Sequence, residues 1–140
     1  MRHLDFESLL LGLTILLLAL LATIAMVLSS HAAACLSIDV PPQAVLSNYD
    51  GDTFTLFTLG PGGQEKFRVE GIDTPELSRK KGEPDQPGAL EAKEFTRHWL
   101  AQGVFTLTTC GKRTIDRTVA SVTRNGEKLS DALRAAGLGH

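Results

Sequence analysis

The sequence has 140 residues and a formal net charge of −2, so its length predicts one domain with an added segment. Only Arg2, Asp5 and Glu7 are charged before Cys35, which leaves 13 Lys and Arg against 14 Asp and Glu in the rest. This balance excludes a protein that attracts nucleic acid through a globally basic field, and any such partner must be bound by local charges.

The first segment is apolar. Residues 9–28, LLLGLTILLLALLATIAMVL, contain no charge and would span about 30 Å as a helix. We expect either a signal peptide, cut near residues 32–34, or a retained membrane anchor. Arg2 precedes the segment and no Lys or Arg follows before residue 58, so residues 1–8 should be cytoplasmic. The rest would then be secreted or membrane-anchored outside the cytoplasm, in the periplasm or at the cell surface of a bacterium.

Residues 29–43 contain Pro41-Pro42 and show no periodicity, so we expect a linker before a domain at residues 44–140. The two cysteines, Cys35 and Cys110, are too few for a disulfide scaffold. Cys35 could pair with Cys110, remain free or carry a lipid, and the sequence leaves these alternatives open.

The domain shows five short runs rich in β-branched and aromatic residues, which predict strands. They are Ala44–Tyr49, Asp52–Leu59, Lys66–Ile72, Val104–Thr109 and Arg117–Thr123. The turn residues Gly60–Gly63 predict a hairpin between the second and third strands, and Asn125-Gly126 predicts another after the fifth.

Two segments predict helices. In Gly88–Gln102 the apolar residues recur at helical spacing. In Ser130–Ala136 we expect Ser130 to cap the helix and Gly137 to end it. Residues 76–87 are polar and rich in Pro, Gly and Lys, which is typical of a mobile loop. The fold predicted is mainly β with helices (α+β), a five-stranded antiparallel barrel of the OB type with two helices.

Four carboxylates flank the predicted hairpin: Asp50, Asp52, Asp73 and Glu76. Asp52 begins the second strand and Asp73 follows the third, so they should lie about one strand spacing apart. Two carboxylates this close repel each other unless a cation lies between them. Oxygen ligands without nearby His or Cys favour Ca²⁺ or Mg²⁺.

Two arginines complete the pattern. Arg68 lies on the opposite strand face from Phe67 and Val69, and Arg117 begins the fifth strand. Arginine binds phosphate through two parallel hydrogen bonds. A hard cation, two arginines and a carboxylate that deprotonates water are what hydrolysis of a phosphodiester requires. Taken singly, each of these motifs is also typical of an ordinary turn or a surface ion pair.

The motifs together resemble the signature of the staphylococcal nuclease (thermonuclease) family, over about Val45 to Leu138. The resemblance is carried by Asp50-Gly51-Asp52-Thr53, Phe67-Arg68, Gly71-Ile72-Asp73-Thr74-Pro75-Glu76, Glu91-Ala92-x-x-Phe95-Thr96 and Asn125-Gly126…Leu129…Ala132-Leu133…Gly137-Leu138.

The resemblance implies a calcium-dependent endo- and exonuclease of DNA and RNA that leaves 3′-phosphate ends. The matching positions imply Asp52, Asp73 and the carbonyl of Thr74 as calcium ligands. Asp50 would support these ligands without contacting the ion itself. Glu76 would position or activate the attacking water, and Arg68 and Arg117 would hold the scissile phosphate. The partners expected are therefore a DNA or RNA substrate and, through residues 9–28, a membrane; we predict no protein partner and a monomer.

The sequence departs from the family pattern in three places, one of which is that Tyr49 is its only tyrosine, so few aromatic rings remain on which bases could stack. Family members carry Tyr-Gly before the second arginine, but this chain reads Arg113-Thr114-Ile115-Asp116-Arg117, so Arg117 is the equivalent or a deletion has removed the site arginine. The sequence also ends at His140, directly after the second predicted helix, where family members continue into another helix. The alternative to an enzyme is therefore a degraded nuclease-like OB module that binds nucleic acid or protein without catalysis.

Overall fold

The computed structural model describes residues 6–29 and 34–140. The expected cytoplasmic stretch at residues 1–8 and the expected cleavage site at residues 32–34 lie partly outside these ranges. The chain divides into two units, residues 1–34 and residues 35–140.

Helix α1, Phe6–Ser29, is the described element of the first unit. Across the described residues, no helix combines the length and the apolar character that crossing a membrane requires.

The second unit contains seven strands, two α-helices and one short 3₁₀ turn, Pro42–Ala44. The strands are β1 Leu36–Val40, β2 Val45–Asn48, β3 Thr53–Phe57, β4 Gln64–Val69, β5 Phe105–Thr109, β6 Thr118–Arg124 and β7 Glu127–Lys128. The helices are α2 Ala89–Ala101 and α3 Leu129–Ala135.

The strands form one mixed sheet in the order β1-β5-β6-β4-β3-β2, with β7 paired to β6, and the sheet curls into a half-barrel. This is an α+β fold consistent with the OB type. The prediction of five strands, all antiparallel, is wrong in two respects: there are seven strands, and β4 pairs with β6 in parallel. Parallel pairing joins strands that are far apart in the chain, so no local turn motif indicates it.

The expected linker at residues 29–43 also needs correction. Leu36–Val40 form β1, which pairs antiparallel with β5 from Leu36↔Thr109 to Val40↔Phe105. Beside this pairing, Cys35 and Cys110 form a disulfide, which decides among the alternatives that the sequence left open. Only Val40 in β1 is buried, so the strand carries little hydrophobic pattern of its own.

The core lies between the concave face of the sheet and the two helices. Phe54 is fully buried and contacts Phe67 and Phe105, with ring centroids 6.1 and 6.3 Å apart. Trp99 of α2 is 4% exposed and belongs to this core. Helix α3 begins after Lys128 without a side-chain cap, so the expected capping role of Ser130 is wrong; Ser130 lies inside the helix and is buried. Gly137 has φ of 71° after α3, as expected for the residue that ends it.

Candidate active site

The β3–β4 hairpin brings the two halves of the site together. Its register pairs Thr53 with Arg68, and the Val69 amide donates to the Asp52 carbonyl at 2.8 Å. Phe67 and Val69 point into the core and Arg68 points away from it, because neighbouring residues of a strand face opposite sides. Arg68 therefore projects over the turn that carries Asp52.

Arg68 bridges the two acidic residues. Its guanidinium donates to Asp52 with N···O distances of 3.1 and 3.2 Å, and to Asp73 at 2.5 Å. One nitrogen, Nη2, contacts both carboxylates, at 3.1 Å from Asp52 and 2.5 Å from Asp73. The two carboxylates therefore lie close together. Asp52 is 2% exposed, whereas the Asp73 side chain is 60% exposed. One carboxylate is therefore fixed inside the protein and the other lies open to a ligand.

The position of Asp52 is determined by its neighbours. Its carboxylate accepts hydrogen bonds from the Thr74 amide at 3.2 Å and from the Thr53 hydroxyl at 2.9 Å. Behind it, Gly51 packs so closely that an added Cβ would lie 2.7 Å from the Ala92 Cβ and 2.8 Å from the Thr74 side chain. The Thr96 hydroxyl of α2 donates to the Gly51 carbonyl at 2.6 Å. Helix α2 thus holds the turn rigidly against the sheet.

Asp50 lies behind Asp52 and is 3% exposed. Its carboxylate accepts a hydrogen bond from the Asp52 amide at 3.2 Å. Burial, together with the negative charge of Asp52, raises the pKa of Asp50 from 3.8 to about 6. Burial alone would lower the pKa of Arg68, but the charges of Asp52 and Asp73 outweigh it, and the pKa is raised. The site therefore holds more negative charge than Arg68 alone compensates.

Arg117 also reaches the site, but it lies one residue before β6 and does not begin the strand as expected. The parallel pairing of β4 with β6 places Thr118 opposite Phe67, so Arg117, one residue before β6, lies level with Lys66. Its guanidinium donates to the Thr53 hydroxyl at 3.0 Å, and that hydroxyl donates to Asp52. Arg117 also donates to Asp116 at 3.2 Å. The Arg113–Arg117 segment therefore brings an arginine to the site.

Glu76 lies at the edge of the site. It is exposed, and with Asp73 and Thr74 it lines a cleft of about 390 Å³. Its backbone pairs with Gln86: the Glu76 amide donates to Gln86 Oε1 at 2.9 Å, and the Glu76 carbonyl accepts from the Gln86 amide at 3.1 Å. This pairing closes the base of the 76–86 loop and leaves the Glu76 carboxylate free to face the cleft.

Asp52 and Asp73 offer oxygen ligands that suit a hard cation, although the described residues do not form a complete ligand set. Within residues 6–29 and 34–140, no group of three or more His, Cys, Asp or Glu side chains is arranged to hold a metal ion. Asp52 and Asp73 nevertheless share one positive group, the Arg68 guanidinium, and both offer only oxygen. The buried Thr74 hydroxyl, which packs against Gly51, has no hydrogen-bond partner among the described residues.

The structure also shows site residues that the sequence did not identify. Thr53, quoted only as part of a motif, links Arg117 to Asp52 through its hydroxyl. Tyr49 lies under the guanidinium of Arg79, which is 4.8 Å from the ring centroid. The sequence indicates only that Tyr49 lies next to Asp50. It does not predict the contact with Arg79, because Arg79 belongs to a loop without a regular pattern.

The curled sheet is consistent with an OB-type domain, and it carries a candidate site of paired carboxylates and arginines. The family model described as staphylococcal nuclease homologue matches residues 66–140. The chain belongs to this family, whose members are in general nuclease hydrolases, and the expectation from the sequence motifs is confirmed. A search of curated proteins found no match.

Proposed function

We propose that this protein hydrolyses phosphodiester bonds of DNA or RNA in a calcium-dependent reaction. The observation that supports this best is that Arg68 in β4 and Arg117, which directly precedes β6, both connect to Asp52, directly or through Thr53. Two guanidinium groups beside a buried carboxylate bind an anion with several oxygens, and a phosphodiester is such an anion.

Asp52, Asp73 and the Thr74 carbonyl would hold the ion, with Asp50 supporting Asp52 through the Asp52 amide. Bound Ca²⁺ would supply charge that polarises a phosphoryl oxygen. Arg68 and Asp73 are within 2.5 Å of each other, so Arg68 must turn from the carboxylates to the phosphate when substrate binds.

Arg68 and Arg117 would hold the non-bridging oxygens of the phosphate, whose negative charge grows as water attacks. Glu76 would accept a proton from that water. The water oxygen bonds to phosphorus, the bond from phosphorus to the 5′ oxygen breaks, and the 5′ oxygen takes up a proton from solvent. The products would be a 3′-phosphate end and a 5′-hydroxyl end.

The same proposal places the reaction outside the cytoplasm. The Cys35–Cys110 disulfide supports this location, since disulfides persist in oxidising compartments. Residues 9–28, which contain no charge, would direct the chain there and supply any membrane contact. The measurement is fractionation of the host cell followed by detection of the full chain, and recovery in the cytoplasm with reduced cysteines would contradict this part.

The catalytic test is digestion of end-labelled single-stranded DNA and RNA by the full chain, with Ca²⁺ and with chelator. We expect cleavage only with Ca²⁺, and a loss of at least a hundredfold in kcat for Arg68→Ala and for Glu76→Gln. Arg97→Ala is the matched control, because Arg97 is an exposed arginine of α2 paired with Glu94. A full chain that is folded by circular dichroism but cleaves neither substrate would refute the enzyme and leave the non-catalytic OB module.

A further inference from the structure

The region beside the proposed phosphate site contains a second, smaller pocket. Its volume is about 200 Å³, and it is lined by Tyr49, Thr53, Lys66, Arg79, Asp116 and Arg117. Thr53 and Arg117 also belong to the site described above, so the two are continuous. Pockets that enclose a drug-sized ligand measure about 300–1,000 Å³, so this one suits a single flat ring.

The charge of this pocket favours an anionic ligand. Lys66, Arg79 and Arg117 are opposed by one carboxylate, Asp116, which contacts Lys66 at 3.6 Å and Arg117 at 3.2 Å. Among the described residues, no carboxylate pairs with Arg79. A nucleotide that continues from a phosphate held by Arg117 would therefore meet uncompensated positive charge.

Tyr49 supplies an aromatic face in the pocket. It is the only tyrosine in the sequence, and 41% of it is exposed. Its amide donates to the Thr53 carbonyl at 2.8 Å, so the backbone that carries the ring is fixed to the Asp52 turn. Phe57 is also exposed, but it lies at the other end of β3, four residues from Thr53 and about 13 Å away at strand spacing.

We infer that Tyr49 and Arg79 form a binding subsite for one unpaired nucleobase next to the scissile phosphate. The base stacks on the Tyr49 ring, and the Arg79 guanidinium covers the outer face of the base. The present Tyr49–Arg79 contact is exposed, and an exposed cation–π contact is weaker than the stacking of a base on an aromatic ring. A base can therefore displace Arg79 from the ring.

This inference rests on the proposed function for the place of the phosphate, and it adds a substrate class. A base whose face is covered by Tyr49 cannot also be stacked within a duplex, so the substrate must be single-stranded at this position.

The test compares KM and kcat for two single-stranded oligonucleotides, one with all its bases and one with abasic positions on both sides of the cleaved bond. For Tyr49→Ala we expect KM to rise about tenfold on the first substrate, with kcat within twofold and no change on the abasic one. Tyr49→Phe should restore the parent KM, because it keeps the ring. Arg79→Ala should raise KM on the first substrate only, and Arg97→Ala should change neither constant.

A second measurement does not depend on cleavage. Fluorescence anisotropy of a labelled single strand in chelator should show Tyr49→Ala binding about tenfold more weakly than the parent or Tyr49→Phe. If the parent cleaves but Tyr49→Ala matches it in KM and in binding, the subsite is refuted and the nuclease stands. If the parent does not cleave but Tyr49→Ala still loses binding, the nuclease is refuted and the subsite stands. Equal losses on both oligonucleotides would mean that Tyr49 acts only on the fold, which also overturns the inference.

Discussion

Gly51 occupies the closest contact between the proposed site and helix α2, and its replacement by alanine tests the packing that positions Asp52. A Cβ at Gly51 would lie 2.7 Å from the Ala92 Cβ and 2.8 Å from the Thr74 side chain. Carbon atoms pack best at about 3.5–4.0 Å, so the neighbours would have to move by close to 1 Å. Ala92 is 0% exposed and Thr74 is 5% exposed, so neither side chain has open space to enter.

Overpacking of this kind costs typically about 1–3 kcal/mol. For a domain of this size, each kcal/mol lowers Tm by about 4–8 °C. We therefore expect Gly51→Ala to lower Tm by about 5–20 °C, measured by circular dichroism with chelator present. The Asp52 carboxylate should also lose its contact with the Thr74 amide, because Thr74 is one of the residues that must move.

Gly60→Ala is the matched control. Gly60 lies in the β3–β4 turn, and the nearest atom to an added Cβ is the Thr58 Oγ1 at 3.9 Å. This variant should unfold within about 2 °C of the parent, because ordinary van der Waals contact needs no rearrangement. If Gly51→Ala and Gly60→Ala have the same Tm, the tight contact between the Asp50–Asp52 turn and α2 does not exist.

Three further predictions concern charge and covalent structure. Burial raises the pKa of Asp50 from 3.8 to about 6, so ionisation of Asp50 destabilises the folded protein as pH rises through this range. In the presence of chelator, Asp50→Asn should therefore raise the free energy of unfolding by up to about 3 kcal/mol above pH 6 and leave it unchanged below about pH 4, measured by urea denaturation. Arg68→Gln should bind Ca²⁺ about tenfold more tightly without substrate by calorimetry, because it removes the cation shared by the two carboxylates; weaker binding would contradict the shared site. The double variant Cys35→Ser with Cys110→Ser should lose about 2–4 kcal/mol, and the parent in reductant should match it in urea denaturation.

The sequence predicted the local parts of the fold well. Alternation in β4 places Phe67 and Val69 inside and Arg68 outside, and the glycines of residues 60–63 form the turn of the β3–β4 hairpin. These features depend on residues a few positions apart, so local patterns carry them. The closeness of Asp52 and Asp73 followed from the same hairpin.

The sequence did not predict the features that depend on distant pairing. The sequence predicts a linker where β1 lies, because this stretch contains Pro41-Pro42 and no periodicity. Four residues of Leu36–Val40 are exposed, and the segment becomes a strand only by pairing with β5. Asn125-Gly126 did predict the turn after β6, with φ of 51° and 83°, but the short β7 that follows it, Glu127–Lys128, was missed. A two-residue strand has no periodicity to detect.

The amino-acid sequence alone determined which side chains could carry the chemistry and which ends of the hairpin they occupy, because strand alternation and turn residues act over a few positions. Only the tertiary structure decided that Arg117 reaches Thr53 and, through the Thr53 hydroxyl, Asp52. That contact depends on β4 and β6 lying parallel, with about fifty residues of chain between the paired positions. The free energy that selects this pairing comes from burying the core across the whole sheet, and no local segment contains it.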